Sequence, residues 1–195
     1  MAYALSIQRE ASRDIVLQIL SRLWQTKLRS ISILEKWLEK TADAEIIAGL
    51  KPQLIDERRH LRILGDEIKR LGGSIAALSR ENRLGRPFAL VQTQPNDFYR
   101  LSAFHFGSKA FTLDRCGHMM QLVDIRLGRT LEQIVLDEER HIRWADIRLA
   151  RLKDVEELRL CQQLMERVGG MLEGVWPKPW LELNRRRAVS IVARR

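Results

Sequence analysis

The sequence predicts an all-α protein, built from two repeated helical hairpins joined by a long crossover and followed by a C-terminal extension. Three observations predict it. Apolar residues recur three and four positions apart over long stretches. Proline is scarce, with 5 residues in 195, while Leu, Ile, Ala, Arg and Glu abound. Finally, Asp56-Glu57-Arg58-Arg59-His60 returns 81 positions later as Asp137-Glu138-Glu139-Arg140-His141. At that same offset Asp43 matches Asp124, Leu50 matches Leu131, Arg62 matches Arg143 and Leu71 matches Leu152. A chain of this length suits one core, with the bundle expected over residues 1–168 and a basic, Trp- and Pro-containing extension over 169–195.

The first helix is expected over Ser12 to Lys40, with Val16, Leu20, Leu23, Trp24, Leu28, Ile31, Leu34 and Leu38 at helical spacing. Thr41-Ala42-Asp43 then supplies a turn and an N-cap. The second helix, Asp43 to Leu71, carries the seam Ile47, Leu50, Leu54, Glu57, Leu61, Leu64, Ile68. Its gaps alternate three and four, so Glu57 occupies a place where leucine is expected. A buried carboxylate requires a neutralising partner. Pro52 predicts a kink or break one turn before Glu57.

Gly72-Gly73 ends that helix, and residues 74–96 read as a connection long enough to run back along the bundle. The third helix opens near Asn96-Asp97 and carries Ala103, Phe104, Ala110, Phe111, Gly117, His118 and Val123 on one face, with Gly107 and Asp114 in its middle. The fourth repeats the second, and Glu138 again sits in the seam. Its cap is either Asp124, by the repeat, or Thr130, by the pairing with Gln133. It is expected to run through Leu164 to Gly169-Gly170, leaving Val175 to Trp180 as a Trp-anchored tail.

The net charge of +9 is spread mostly as arginine interleaved with acids, the pattern of solvated helix faces. Asn184-Arg-Arg-Arg187 and Arg194-Arg195 are more localised. Expected partners are therefore an acidic protein or nucleic acid, met through the Arg-rich surface and tail, and a second copy forming a homodimer. No stretch approaches the roughly 20 apolar residues of a membrane span, and Met1 to Arg9 lack the pattern of a secretory signal. The expected location is cytoplasmic. Cys116 and Cys161 have neither metal-knuckle spacing nor the numbers of a disulfide framework. Trp24, Trp37 and Trp144 read as core or groove aromatics, and His105 as a filler.

A Glu and a His three residues apart lie side by side on one helix face. Glu57, His60, Glu138 and His141 thus offer four oxygen and nitrogen ligands of the kind that suit iron, manganese or zinc. Asp56 and Asp137, one step around each helix, are placed to hold the outer ring nitrogen of the opposite histidine.

This arrangement resembles the ferritin-like di-iron carboxylate superfamily, including its rubrerythrin-type and tRNA-hydroxylase-type members, over roughly residues 12–165. The resemblance implies a ferritin-like four-helix bundle with Glu57 and Glu138 as bridging carboxylates and His60 and His141 on one metal each. It implies iron, as a pair or a single ion, with manganese as the alternative, and an O₂- or peroxide-using oxidoreductase or hydroxylase. It also implies one acid on the first helix within Trp24–Arg29 and one on the third within His105–Ala110. Neither window holds one; Lys27, Ser108 and Lys109 stand there instead. The nearest core-facing acids are Glu35 and Asp114. If they reach the centre, two metals are expected. If they do not, one metal is expected, and if Lys27 points inward, a metal-free salt-bridge network. The last case implies a metal-free, degenerate ferritin-like bundle that acts as an interaction protein for an acidic partner or nucleic acid.

Overall fold

The computed structural model describes residues 2–78, 84–120 and 123–176, with side chains from residue 13 onward. The described residues form helices and connections, with no strand among them. Helix α1 spans Ala2–Lys40, α2 Ala44–Arg70, α3 Ile75–Leu78 and α4 Gly85–Gln92. A third long rod follows: α5 (Asp97–Leu101), a π-helical stretch (Ser102–Lys109) and α6 (Ala110–Met120). Helices α7 (Ile125–Leu149) and α8 (Val155–Val175) complete the described chain.

The helix ends follow from local chemistry. The Asp43 carboxylate accepts the backbone N–H groups of Glu45 and Ile46 at 2.8 and 3.0 Å, and Asp124 accepts that of Leu127 at 2.8 Å. The repeat position, Asp124, is therefore the cap of α7; the Thr130 hydroxyl instead bonds the Arg126 carbonyl one turn back. Gly72 takes φ +78°, which lets the Gly73 N–H close on the Ile68 carbonyl and stop α2. Pro52 does not break α2, which runs unbroken across it.

Two expectations about the chain path are corrected. The fourth helix does not reach Leu164: it ends at Leu149, and Asp154 caps a separate α8 by accepting the Glu157 N–H. Apolar spacing continues on both sides of this break, so periodicity alone conceals it. Gly169-Gly170 does not end a helix; α8 continues to Val175, across the boundary expected at residue 168. A Cβ on Gly107 would collide with Val168, and Gly169 lies against the Gly107 carbonyl. These glycines let α8 approach the π-helical stretch. The connection 74–96 holds α3 and α4, and α4 buries Phe88 and Val91. The basic tail and Trp180 lie outside the described residues; Trp176 is buried with its ring edge-on to Phe111 at 5.2 Å.

The core divides into two apolar clusters. One holds Ile33, Leu34, Trp37, Ile46, Leu50, Leu101, Phe104 and Ala145. The other holds Leu20, Leu23, Leu64, Ile68, Cys116, Met119, Leu127 and Leu131. On each of the four long rods a buried polar segment falls between them: Lys27, Glu57, Lys109 and Glu138. From the order in which each rod meets the clusters, α1 and α7 run one way, and α2 and the third rod the other.

Gly49 positions Trp144. The indole lies across the α2 backbone where a side chain would stand, and a Cβ on Gly49 would overlap the ring. An alanine in a helix is ordinarily favoured over glycine by about 1 kcal/mol. Here the overlap reverses the sign, so Gly49→Ala is expected to destabilise by about 1–3 kcal/mol. Paired with Trp144→Leu, the same substitution is expected to recover the helical gain, as urea denaturation of the four variants will measure.

Candidate functional site

Hairpin geometry decides which side chains share a level. Glu57 stands 14 residues after the Asp43 cap and Lys27 stands 16 before it. Glu138 stands 14 after the Asp124 cap and Lys109 stands 15 before it. Each lysine therefore comes level with the glutamate of its own hairpin. Glu35 is only 8 residues from its cap, two turns or about 12 Å along α1 from Lys27.

The structure brings Glu57, His60, Glu138 and His141 into the interior, all at most 2 % exposed. Lys27 and Lys109 join them at 1 %. Lys27 Nζ bonds Glu138 Oε1 and lies 3.2 Å from Glu57 Oε2. Lys109 Nζ bonds Glu57 Oε1, Glu138 Oε2 at 2.9 Å and His141 Nδ1 at 3.1 Å. Two ammoniums thus stand between two carboxylates and the formal charge of the four sums to zero.

A second layer lies over the first. His60 Nε2 meets Asp137 at 2.9 Å and His141 Nε2 meets Asp56 at 3.0 Å, each on the opposite helix. Arg59 bonds both Asp56, at 2.9 Å, and Asp137. Arg140 bonds Asp56 and Asp137 at 2.7 Å each. An ammonium has only protons to offer, so His141 Nδ1 accepts from Lys109 and its Nε2 carries the proton given to Asp56. His60 Nδ1 is buried with no hydrogen-bond partner among the described residues.

Electrostatics follow from this packing. Burial opposes the charge on Lys27, but Glu138 and then Glu57 outweigh it and hold the ammonium pKa above its ordinary value. Burial likewise opposes a charged Glu138, and Lys109 and Lys27 overcome it, so its pKa is well below the carboxylate range. His60 is pushed down to about 4, first by burial and then by Lys27. Burial lifts the Cys116 thiol to about 12, which leaves it a neutral core residue.

Glu35 and Asp114 are not part of this centre. Glu35 is half-buried, outside the polar centre, and pairs with Arg58 at 2.7 Å. Asp114 is 51 % exposed and pairs with His118 at 3.3 Å and Arg115 at 3.5 Å. Five residues beyond Lys109, it points about 140° away around the helix. Lys109 was not expected to turn inward, although its place in the empty acid window and among Phe104, Ala110 and Phe111 was the available sign. His105 is fully buried, bonded to Gln53 at 2.9 Å and ringed by Trp37, Phe104 and Trp144.

Donor atoms of Glu57, Glu138 and His141 lie within 4.8 Å of one another, close enough to share one ion. The set nevertheless fits a metal pair poorly. Two carboxylates are present where the pattern needs four, and ammoniums hold both. A dication set about 4 Å from an ammonium is repelled by about 8 kcal/mol at an effective dielectric near 20.

Beside the centre, a cavity of about 460 Å³ opens between α2 and α7. His141 and Gln53 form its inner wall, and Trp144, Gly49, Arg140 and Arg148 are among its other lining residues.

Removing one lysine strands a buried carboxylate, and we expect Lys27→Met to cost about 3–5 kcal/mol. The double variant Lys27→Met, Glu138→Leu leaves Lys109 paired with Glu57 and is expected to recover most of that loss in urea denaturation. The depressed His60 pKa gives a pH signature. Above about pH 6.5 the ring is neutral folded or unfolded; between about 6.5 and 4 only the unfolded chain binds the proton. Stability should therefore fall by about 3 kcal/mol as pH drops across that window, and the fall should be shallower in His60→Asn. Loss of the Glu138 carboxylate adds to it only below about pH 4.5.

In comparisons with family models, curated proteins and solved structures, nothing matches this chain.

Proposed function

We propose that this chain is a ferritin-like four-helix bundle of two repeated hairpins in which two lysines replace the metal pair, and that it works by binding rather than by redox catalysis. One observation carries the reading: Lys27 and Lys109 each contact both Glu57 and Glu138 in the buried centre. The family-type centre needs acids at these levels of the first and third rods, and cations stand there. With the charge already balanced, the centre holds four rods together, and lysines stand where two of the acids that would hold a metal pair are required. The net charge of +9 favours an acidic ligand or partner. The competing reading, one iron or manganese ion held by Glu57, Glu138 and His141, draws on the short distances among their donor atoms.

Elemental analysis of untagged protein, before and after iron or manganese loading and desalting, separates the two. Our reading expects far less than one metal per chain for the natural sequence, and uptake of about two by Lys27→Glu, Lys109→Glu, which restores the missing acids. One or more ions retained by the natural protein and lost in Glu57→Ala, Glu138→Ala would overturn it.

A further inference from the structure

The internal repeat serves as a control for what the scaffold needs. Across the α2–α7 pair most site positions are conserved between halves, and the Glu45–Arg148 ion pair has a counterpart with reversed charge in Arg126–Glu67 at 3.3 Å. The halves differ around the 460 Å³ cavity. Gly49 stands where the other half has Thr130, Pro52 where it has Gln133, Gln53 where it has the core residue Ile134, and Trp144 where it has Ile63. None of these changes is needed to build a helix, and proline and glycine weaken one.

Together they make a recess with unused polar groups. Trp144 packs against Gly49 and offers an aromatic wall. Pro52 has no N–H, so the Ala48 carbonyl one turn back, also on the lining, lacks its helical donor. Gln53 is 97 % buried, since its exposure is 3 %. It uses one amide atom on His105, and the other has no partner among the described residues. Arg140 meets its two aspartates through Nη2 alone, and Arg148 meets Glu45 through Nη1 alone. Both guanidiniums therefore keep N–H groups for another anion. The volume lies within the range of small-ligand pockets.

We infer that this cavity binds an amphipathic organic anion, its flat apolar body stacked on Trp144 and its carboxylate, sulfonate or phosphate held by Arg140 and Arg148. The inference rests on the reading of the chain as a binding protein and gives that reading its ligand class. Its failure is distinguishable from that of the metal-free centre, because metal analysis reads the centre alone.

The test titrates the full-length protein with 8-anilinonaphthalene-1-sulfonate and with N-phenyl-1-naphthylamine, which has the same rings without the sulfonate. Expected are a single saturable site for the sulfonate, weaker binding of the neutral dye, and at least a tenfold loss of both in Ala48→Trp. That variant fills the mouth of the cavity from an exposed helical position, so folding is preserved and circular dichroism checks it. Arg148→Gln should weaken the sulfonate and leave the neutral dye unchanged. Unsaturable binding, or Ala48→Trp binding like the natural protein, would refute the site. Equal binding of both dyes would refute the anion requirement.

Discussion

Two ammonium groups held between two carboxylates, sealed from water midway along four helices, constrain everything else in this molecule. Burying one such charge alone would cost several kcal/mol. Lys27, Lys109, Glu57 and Glu138 come from four different rods, so each charge is tolerated only if all four rods arrive in register. Apolar contacts tolerate sliding, whereas an ion-pair lattice does not. The two leucine-rich clusters supply the bulk of the driving force, and the polar layer between them fixes how the rods align along their length.

The layer has a second storey, which gives the histidines a hydrogen-bonding role of their own. Asp56 and Asp137 reach across to the opposite histidine, and Arg59 and Arg140 neutralise them from the surface. The formal charges of the lysine–glutamate set sum to zero, as do those of the arginine–aspartate set, and the imidazoles lie between the two. His141 joins the two storeys through one hydrogen bond on each ring nitrogen. His60 joins only the upper one, since Lys27 does not reach its inner nitrogen. The centre is thus symmetric in composition and asymmetric in its hydrogen bonds.

Much of this was legible before the structure. The heptad seam with glutamates in leucine positions placed Glu57 and Glu138 inside, and the spacing of Asp56 and Asp137 anticipated their cross-helix bonds. What escaped was information carried by distance from a cap rather than by periodicity. Glu35 lies at the wrong level, which only the position of Asp43 reveals, and Asp114 lies on the wrong face, turned about 140° from Lys109 around the third rod. The break at residues 150–154 escaped because α7 and α8 share one apolar rhythm. The π-helical stretch escaped because seven of its eight residues, including His105 and Lys109, are buried together, a spread of positions that no regular 3.6-residue face would accommodate.

The contrast between the centre and the cavity bears on how such a scaffold could change its work. In the centre both lysines pair with both glutamates, and of the His60 and His141 ring nitrogens His60 Nδ1 alone is left without a hydrogen-bond partner among the described residues. The flank of the same helix pair is different. Its backbone is already held by the ion-pair layer and by the caps, so Gly49 and Pro52 are accommodated although each is a poorer choice for a helix than its repeat partner, and Gln53 although it buries an amide where Ile134 buries an alkyl chain. Stability generated in the middle of the bundle thereby permits locally unfavourable residues one to two turns away. Those residues differ between the two halves, whereas the Asp, Glu and His of the two motifs do not.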